Sequence, residues 1–190
     1  VEFSVPPNII IFLMDDMGIG DCRAYNKGSK VHLPNLEKLA KEGIRFTDAH
    51  APAAVCAPTR YSILTGNYPW RGRNPNGTWL FNMPSQVLPG QQTIGQLFKK
   101  AGYHTAFLGK VHLGGKVFSK STGKPKLSMK GGFQDFDFSR KVEDSPASLG
   151  FDYAYELPQG IQCSPYIALE NGILVGEELK LREWKAGQYG

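Results

Sequence analysis

The sequence predicts an α/β fold in which a mostly parallel sheet carries helices on both faces. Three observations lead to this class. Residues 9–14 form a continuous apolar run that opens with three isoleucines, as in a strand buried on both faces. Helical spacing then alternates twice with short apolar runs, which implies right-handed crossovers. At 190 residues and 41% hydrophobic content, the chain is large enough for one soluble domain.

The first elements follow from local signals. After the strand at 9–14 and a glycine-rich loop, the apolar spacing of residues 33–43 predicts a helix that stops at Gly43. Residues 44–49 are expected to form the next strand. A second helix is expected over about 57–64.

The later elements are more widely spaced. Thr93 is placed to cap a third helix that ends at Gly102, and residues 103–108 form the next predicted strand. From 114 to about 150 the periodicity is lost, which predicts a long loop or insertion. Residues 167–175 predict a hairpin with Asn-Gly at its turn. The polar tail, 177–190, has no recognisable closing element.

Charge and cysteine content narrow the function classes. The net charge of +5 favours anionic ligands, and the densest basic stretch, 116–130, is interleaved with Gly, Ser and Thr as in a solvated loop. It lacks the aromatic interleaving of a nucleic-acid groove, so no nucleic-acid partner is expected. The three cysteines form no C-x-x-C motif or disulfide framework, although pairing of Cys22 with Cys163 stays open.

No membrane span or signal peptide is expected. The apolar run at 9–14 is far too short to cross a bilayer, and it lacks a basic leader and a small-residue cleavage site. A signal peptide removed before residue 1 would not be visible in this sequence, so the cellular compartment stays undetermined.

Three groups of reactive side chains follow predicted strands. Asp15 and Asp16 close the first strand, Cys56 to Arg60 follows the second, and Lys110 to His112 closes the one after the third helix. Because ligands of parallel sheets bind beyond the carboxyl ends of the strands, these groups are expected to meet along one edge.

Each group has a functional and a structural interpretation. Cys56 at a helix amino end, with Arg60 one turn along, is either an activated thiol or a small buried cysteine beside a proline-started helix. Asp15 and Asp16 either share a hard divalent cation or cap a turn. Lys110 and His112 either converge on an anion or are an exposed lysine and a loop histidine. The three remaining histidines are interpreted as structural: His32, His50 and His104.

Taken together, these residues resemble the sulfatase family, within the alkaline-phosphatase-like superfamily. The resemblance covers roughly the first 115 residues in family order, with a further Gly150-Phe151-Asp152 segment. Its most specific parts are Cys56-Ala57-Pro58-Thr59-Arg60 and Gly109-Lys110-Val111-His112-Leu113-Gly114. The other matching segments are Pro7-Asn8-Ile9, Asp15-Asp16-Met17-Gly18, Pro34-Asn35-Leu36, Phe46-Thr47-Asp48-Ala49-His50, Leu64-Thr65-Gly66 and Ala101-Gly102-Tyr103.

The resemblance implies a sulfuric ester hydrolase in which Cys56 is oxidised to formylglycine, whose hydrated aldehyde attacks sulfur. It also implies that Arg60 holds the formylglycine, that Lys110 stabilises the developing anion and that His112 takes a proton. The implied metal is Ca²⁺, with Mg²⁺ as the other candidate. Its implied ligands are Asp15, Asp16 and residue 56.

Further expectations rest on the same resemblance. The implied partners are an aryl or carbohydrate sulfate ester and a formylglycine-generating maturation enzyme, in a periplasmic, secreted or lysosomal setting. The family's later metal and sulfate ligands have no match after Gly114. The chain is therefore expected to be the amino-terminal part of a sulfatase catalytic domain, apparently incomplete, with a core at 7–114, an insertion at about 115–150, and a hairpin and tail at 150–190.

Two other functions stay open at this level. One is a phosphonate or phosphate monoester hydrolase of the same superfamily, which shares the cysteine motif. The other is a non-catalytic anion- or metal-binding fragment. The sequence does not identify the substrate. One set of aromatic and basic residues either lines a substrate pocket or belongs to a surface loop and the core: Tyr68, Trp70, Arg71, Arg73 and Trp79.

Overall fold

A computed structural model describes residues 5–75, 79–127, 133–160 and 163–176. The chain divides into two units, Val1–His50 and Ala51–Gly190. The predicted tail at 177–190 lies outside the described residues. No helix in the described ranges is long and apolar enough to cross a membrane.

In the first unit, the described residues 5–50 contain one α-helix, α1, over Pro34–Glu42. Pro34 stands in the first turn, where a missing N–H is tolerated. The helix ends where the Gly43 N–H donates to the Leu39 carbonyl at 2.9 Å. The predicted helix and its stop are thereby confirmed.

The two strands predicted in this unit are wrong. Residues 9–14 have no strand structure, and their side chains are 41–80% exposed. Residues 44–49 are likewise irregular and exposed. The reason is that β-propensity reflects packing against neighbouring strands, and no ladder among the described residues includes either segment.

The second unit begins with two helices, α2 over Cys56–Thr65 and α3 over Ile94–Lys100. Both match the predicted positions within one or two residues. Helix α3 has the expected cap: the Thr93 hydroxyl accepts the Gln96 N–H at 3.2 Å, and the Gln96 side chain accepts the Thr93 N–H at 3.0 Å. This reciprocal pair is a capping box.

A four-stranded mixed sheet has the order β1 (Ala106–Lys110), β2 (Tyr153–Leu157), β3 (Leu169–Glu170) and β4 (Ile173–Leu174). Strands β1 and β2 are parallel, in a register from Ala106 opposite Tyr153 to Lys110 opposite Leu157. The other two pairings are antiparallel. Parallel pairing is thus confirmed for β1 and β2 only.

The predicted hairpin is confirmed as β3 and β4. Asn171 and Gly172 both have positive φ, 52° and 83°, as a two-residue type I′ turn requires. A Cβ on Gly172 would lie 2.6 Å from the Val142 carbonyl oxygen, so the close approach also requires glycine.

Two hydrophobic clusters hold the second unit together. The first joins α2 to the segment that follows β1, and its buried members are Tyr61, Leu64, Val87, Val111, Leu113 and Leu149. The second lies against β3, and its buried members are Phe81, Val117, Phe136, Phe138, Val142, Ile167 and Leu169.

The second cluster corrects the prediction of a solvated loop at 116–130 only in part, since residues 120–125 and 127 are exposed as expected and 128–130 lie outside the described residues. The described part of 115–150 contains no α-helix or named strand, yet Val117, Phe118 and Ser119 are buried. Isolated bridges tie Lys116 to Glu143 and Ser119 to Phe136. The segment is irregular, and it combines buried residues with exposed ones.

Candidate active site

Cys56 is the first residue of helix α2. The preceding Val55 is extended and supplies no side-chain cap. Ala57, Tyr61 and Leu64 are the buried residues of the helix, at the i, i+4, i+7 spacing of one helical face. Cys56 and Arg60, themselves four apart, are half-buried and share the adjacent face.

The Cys56 thiol contacts an imidazole. Its Sγ lies 3.3 Å from Nδ1 of His112, across 56 residues of sequence. His112 is only 7% exposed, so the contact is largely shielded from water. The structure therefore places a nitrogen base directly against the predicted nucleophile position.

The backbone after β1 aims His112 at α2. His112 has a left-handed φ of 54°, and its N–H donates to the Pro158 carbonyl at 3.1 Å. The Val111 N–H similarly donates to the Leu157 carbonyl at 2.9 Å. Gly114 turns the chain away at φ 81°, where a Cβ would lie 2.6 Å from the Met83 oxygen. The end of β2 thus clamps the turn that carries His112.

A second contact joins α2 to β1. One guanidinium nitrogen of Arg60, Nη1, donates to the Lys110 carbonyl at 2.7 Å. This bond fixes Arg60 against the end of the strand, and both side chains are half-buried. The Arg60 guanidinium, a permanent cation one helical turn from the thiol, is suited to an anion.

The structure brings together four of the six residues predicted from the sequence: Cys56, Arg60, Lys110 and His112. Asp15 and Asp16 belong to the first unit, where both are exposed at a bend. Asp16 has a left-handed φ of 60°. The four-residue group of the second unit is called the Cys56 site below.

A metal centre is only partly matched by the described residues. No three His, Cys, Asp or Glu side chains in those residues are grouped so as to hold a metal ion. The Asp15–Asp16 carboxylates are hard oxygen donors of the kind that Ca²⁺ prefers. The Cys56 sulfur is a soft donor and does not suit that ion. The carboxylates fit in chemistry, and the unmodified thiol does not.

The sequence pattern did not predict strand β2 or its buried carboxyl group. Glu156 is 3% exposed, and its Oε1 has no hydrogen-bond partner among the described residues. Burial raises the pKa of Glu156 to about 7, and Lys141 opposes the shift. The sequence signal was the pair of β-favouring tyrosines at alternate positions, Tyr153 and Tyr155, and the structure shows them on the exposed face with Ala154 and Glu156 buried.

Other predicted residues are distributed as follows. His32, His50 and His104 are exposed, and His50 lies 2.7 Å from the Asp48 carboxylate. Cys22 and Cys163 are free thiols, so the disulfide left open is not formed. Of the aromatic set, Trp79 belongs to the core, whereas Tyr68 and Trp70 are exposed.

Comparisons with known proteins point to one family. The family model described as Sulfatase matches residues 7–160. An N-acetylgalactosamine-6-O-sulfatase of Bacteroides thetaiotaomicron is 35% identical over 97% of this chain and 35% of its own length. The human steryl-sulfatase is 38% identical over 60% of this chain and 20% of its own length.

The fold class has a match among solved structures. A sulfatase from the metabolism of multiple glycosaminoglycans by Bacteroides thetaiotaomicron superimposes with a TM-score of 0.71 at 32% identity. The match covers 92% of this chain and 35% of that one. The α/β, alkaline-phosphatase-like class is confirmed. The chain spans about a third of the length of the first relative named above.

Proposed function

This chain belongs to the sulfatase family, and we propose that it carries the nucleophile-bearing part of an active site that hydrolyses sulfate monoesters. Cys56, oxidised to formylglycine, is the proposed nucleophile position. The activity is proposed for the whole protein, since the chain spans about a third of the first relative's length.

The observation that carries the proposal is the 3.3 Å contact between Cys56 Sγ and His112 Nδ1. In formylglycine, oxygen takes the place of the Cys56 sulfur. That oxygen would lie against the same nitrogen, His112 Nδ1. A general base must lie within hydrogen-bond reach of the proton it takes, and His112 meets that requirement. Cys56 is also half-buried rather than enclosed, so a substrate can reach it.

Formylglycine, when formed, would supply a hydrated aldehyde: one hydroxyl would serve as nucleophile, and loss of the proton from the other would re-form the aldehyde as the C–O bond to sulfate breaks. The chain's own residues do the rest. His112 holds or accepts a proton at Nδ1, in a position shielded from bulk water. Arg60, fixed on the Lys110 carbonyl, supplies positive charge one helical turn from residue 56. Lys110 supplies a second cation for the sulfate oxygens.

The proposed metal is Ca²⁺, with Mg²⁺ as the other candidate, held by Asp15, Asp16 and residue 56 once that residue carries oxygen. Two adjacent carboxylates support this because they favour a hard divalent cation. A bound cation would supply Lewis-acid polarisation of the sulfate group. The maturation enzyme that oxidises Cys56, and a periplasmic, secreted or lysosomal setting, are part of the same proposal.

Paired hydrolysis assays test the reaction. An aryl sulfate and the matching aryl phosphate are given to the whole protein and to its Cys56→Ala and His112→Ala variants. We expect sulfate hydrolysis, its loss in Cys56→Ala, and a decrease of about 10²–10⁴-fold in His112→Ala, the usual contribution of a general base. Cys163→Ala is the matched control, since Cys163 is also a half-buried free thiol, and it should keep full activity.

Two outcomes would overturn this assignment. Faster hydrolysis of the phosphate ester would identify a phosphate monoester hydrolase of the same superfamily. Equal activity in Cys56→Ala and the unaltered protein would remove residue 56 from the chemistry.

A further inference from the structure

Two of the exposed aromatic side chains of the second unit stack on each other. Tyr68 and Trp70 are 55% and 59% exposed, and their rings stack with centroids 4.4 Å apart and planes 7° from parallel. Trp79, in contrast, is 1% exposed. Large aromatic rings usually gain by burial, so a paired exposed set points to a surface that meets a ligand.

The backbone beneath the two rings is fixed. Tyr68 and Trp70 flank Pro69, which is buried and opens a single 3₁₀ turn over Pro69–Arg71. The turn closes with the Arg71 N–H donating to the Tyr68 carbonyl at 3.0 Å. The Gln91 side chain then donates both to the Arg71 carbonyl, at 3.1 Å, and to the Tyr61 hydroxyl, at 2.8 Å.

The residues that follow the turn are held equally firmly. Gly72 lies so close to Gln86 that a Cβ would be 2.0 Å from its Nε2. Gln86 is fully buried and binds the Asn74 backbone on both its N–H and its carbonyl. A ligand at the aromatic pair would therefore meet a preorganised surface, which lowers the entropy lost on binding.

The surrounding charge selects an anionic ligand. Between Asp48 and Asp135 the sequence has eleven lysines and arginines and no Asp or Glu. Among the described residues, ion pairs with acids of the later segment are Lys99–Asp152, Lys116–Glu143 and Lys126–Asp135. Arg71 and Arg73 are exposed immediately beside the aromatic pair. The Arg73 Nε donates to the Ser85 carbonyl at 2.8 Å, which fixes its direction.

We propose that Tyr68, Trp70, Arg71 and Arg73 form a surface binding platform for an acidic sugar unit of a sulfated glycan, separate from the Cys56 site. The apolar C–H face of a pyranose packs on the outer face of an aromatic ring. The planar guanidinium groups of Arg71 and Arg73 pair with a sulfate or carboxylate on the same or the next sugar. This goes beyond the proposed function, since binding here needs neither Cys56 nor its oxidation.

A single-stranded nucleic acid is the other polyanion that uses aromatic and basic side chains. It binds by stacking successive bases on separate aromatic residues along a basic groove. Here the two rings stack on each other, so one face of each is already covered. The arrangement offers outer faces for one or two sugars rather than a series of sites for bases.

Isothermal titration calorimetry on the whole protein tests the platform. The probes are a chondroitin sulfate hexasaccharide, its chemically desulfated form, and a single-stranded oligodeoxynucleotide of equal charge. We expect the sulfated sugar to bind best. Trp70→Ala should bind it roughly tenfold more weakly and Tyr68→Ala somewhat less so, the effect of losing a stacking surface. Arg71→Ala should weaken binding and reduce its salt dependence.

Matched controls separate this result from folding and from catalysis. Tyr166→Ala removes another exposed tyrosine, 65% exposed, and should bind like the unaltered protein. Circular dichroism of each variant reports its fold. Cys56→Ala should lose turnover and keep sugar binding. No binding by the unaltered protein, unchanged affinity in Trp70→Ala, or tighter binding of the oligonucleotide would each overturn the platform and leave the catalytic assignment untouched.

Discussion

In two stretches of this chain, burial is the opposite of what the amino-acid composition suggests. Residues 9–14 are the most apolar run in the sequence, and they are exposed in the first unit. Residues 115–145 are rich in Gly, Lys and Ser, and their described part supplies Val117, Phe136, Phe138 and Val142 to a buried cluster of the second unit. The composition of a segment sets the free energy that its burial would contribute. Whether the segment is buried depends on the chain that surrounds it.

The largest expected effect tests this contrast directly. Phe136→Ala should cost about 3–5 kcal/mol of unfolding free energy, because Phe136 packs fully buried among Phe81, Phe133 and Phe138. Phe12→Ala, at an exposed position of the apolar run, should change it by less than about 0.5 kcal/mol. Urea unfolding followed by tryptophan fluorescence measures both. Equal effects of the two substitutions would break the comparison.

The next effect concerns the buried carboxyl group of β2. The pKa of Glu156 is raised from 4.5 to about 7, so its charged form is disfavoured in the folded chain. Stability should fall as the pH rises from about 4.5 to 7, by about 3 kcal/mol in total, and stay low above that. Glu156→Gln should remove this fall and be the more stable variant above pH 7.

Denaturant unfolding at pH 5 and pH 8 measures the effect of Glu156→Gln. Glu170→Gln, on the neighbouring strand β3 and exposed, is its control and should leave the pH dependence in place. A pH dependence that survives Glu156→Gln would show that another group titrates.

A smaller effect is expected where α3 begins. Thr93→Ala removes a hydroxyl that accepts the Gln96 N–H and donates to the Leu149 carbonyl. The loss should be about 1 kcal/mol, with somewhat more if the Leu149 carbonyl finds no other donor. Thr93→Ser keeps the hydroxyl and should recover most of the stability in thermal unfolding. No recovery with serine would mean that the methyl group, rather than the cap, matters there.

The smallest effect belongs to an acidic group on the irregular segment. The Lys126 ammonium, followed by the Ser121 N–H and the Ser119 hydroxyl, holds the pKa of Asp135 well below its ordinary 3.8. Asp135 therefore stabilises the fold above pH 3.8, and this contribution is lost as the pH falls below that value. Asp135→Asn should lower the melting temperature at pH 7 and have a diminishing effect toward pH 3. An effect that is constant with pH would contradict the ion pair.

The elements that the sequence predicted well are those with local causes. The Thr93–Gln96 capping box, the stop at Gly43 and the Asn171–Gly172 turn each act within a few residues. The strands at 9–14 and 44–49 failed because a strand depends on a partner that the local pattern does not name. Strand β2 was missed although it alternates, since a buried glutamate interrupts its apolar face.

The candidate site likewise combines features that the sequence predicted with contacts that it could not predict. The ends of predicted strands and helices indicated Cys56, Arg60, Lys110 and His112 as candidates, and the structure places Cys56 against His112 and Arg60 against the Lys110 carbonyl. The contact between Cys56 and His112 depends on the left-handed backbone of His112 and on the Pro158 carbonyl that anchors it. Neither follows from the spacing of residues in the motif. The exposed stacking of Tyr68 on Trp70 is likewise a property of the Pro69–Arg71 turn.

The most direct measurement of the central claim is the mass of tryptic peptide 46–60, which contains Cys56 and no other cysteine. The protein is isolated from cells that possess a formylglycine-generating enzyme, and peptide 142–180, which contains Cys163, is the internal control. Oxidation of an accessible thiol to the aldehyde predicts a loss of about 18 Da in the first peptide and none in the second. An unchanged thiol mass in peptide 46–60 would contradict the proposed nucleophile.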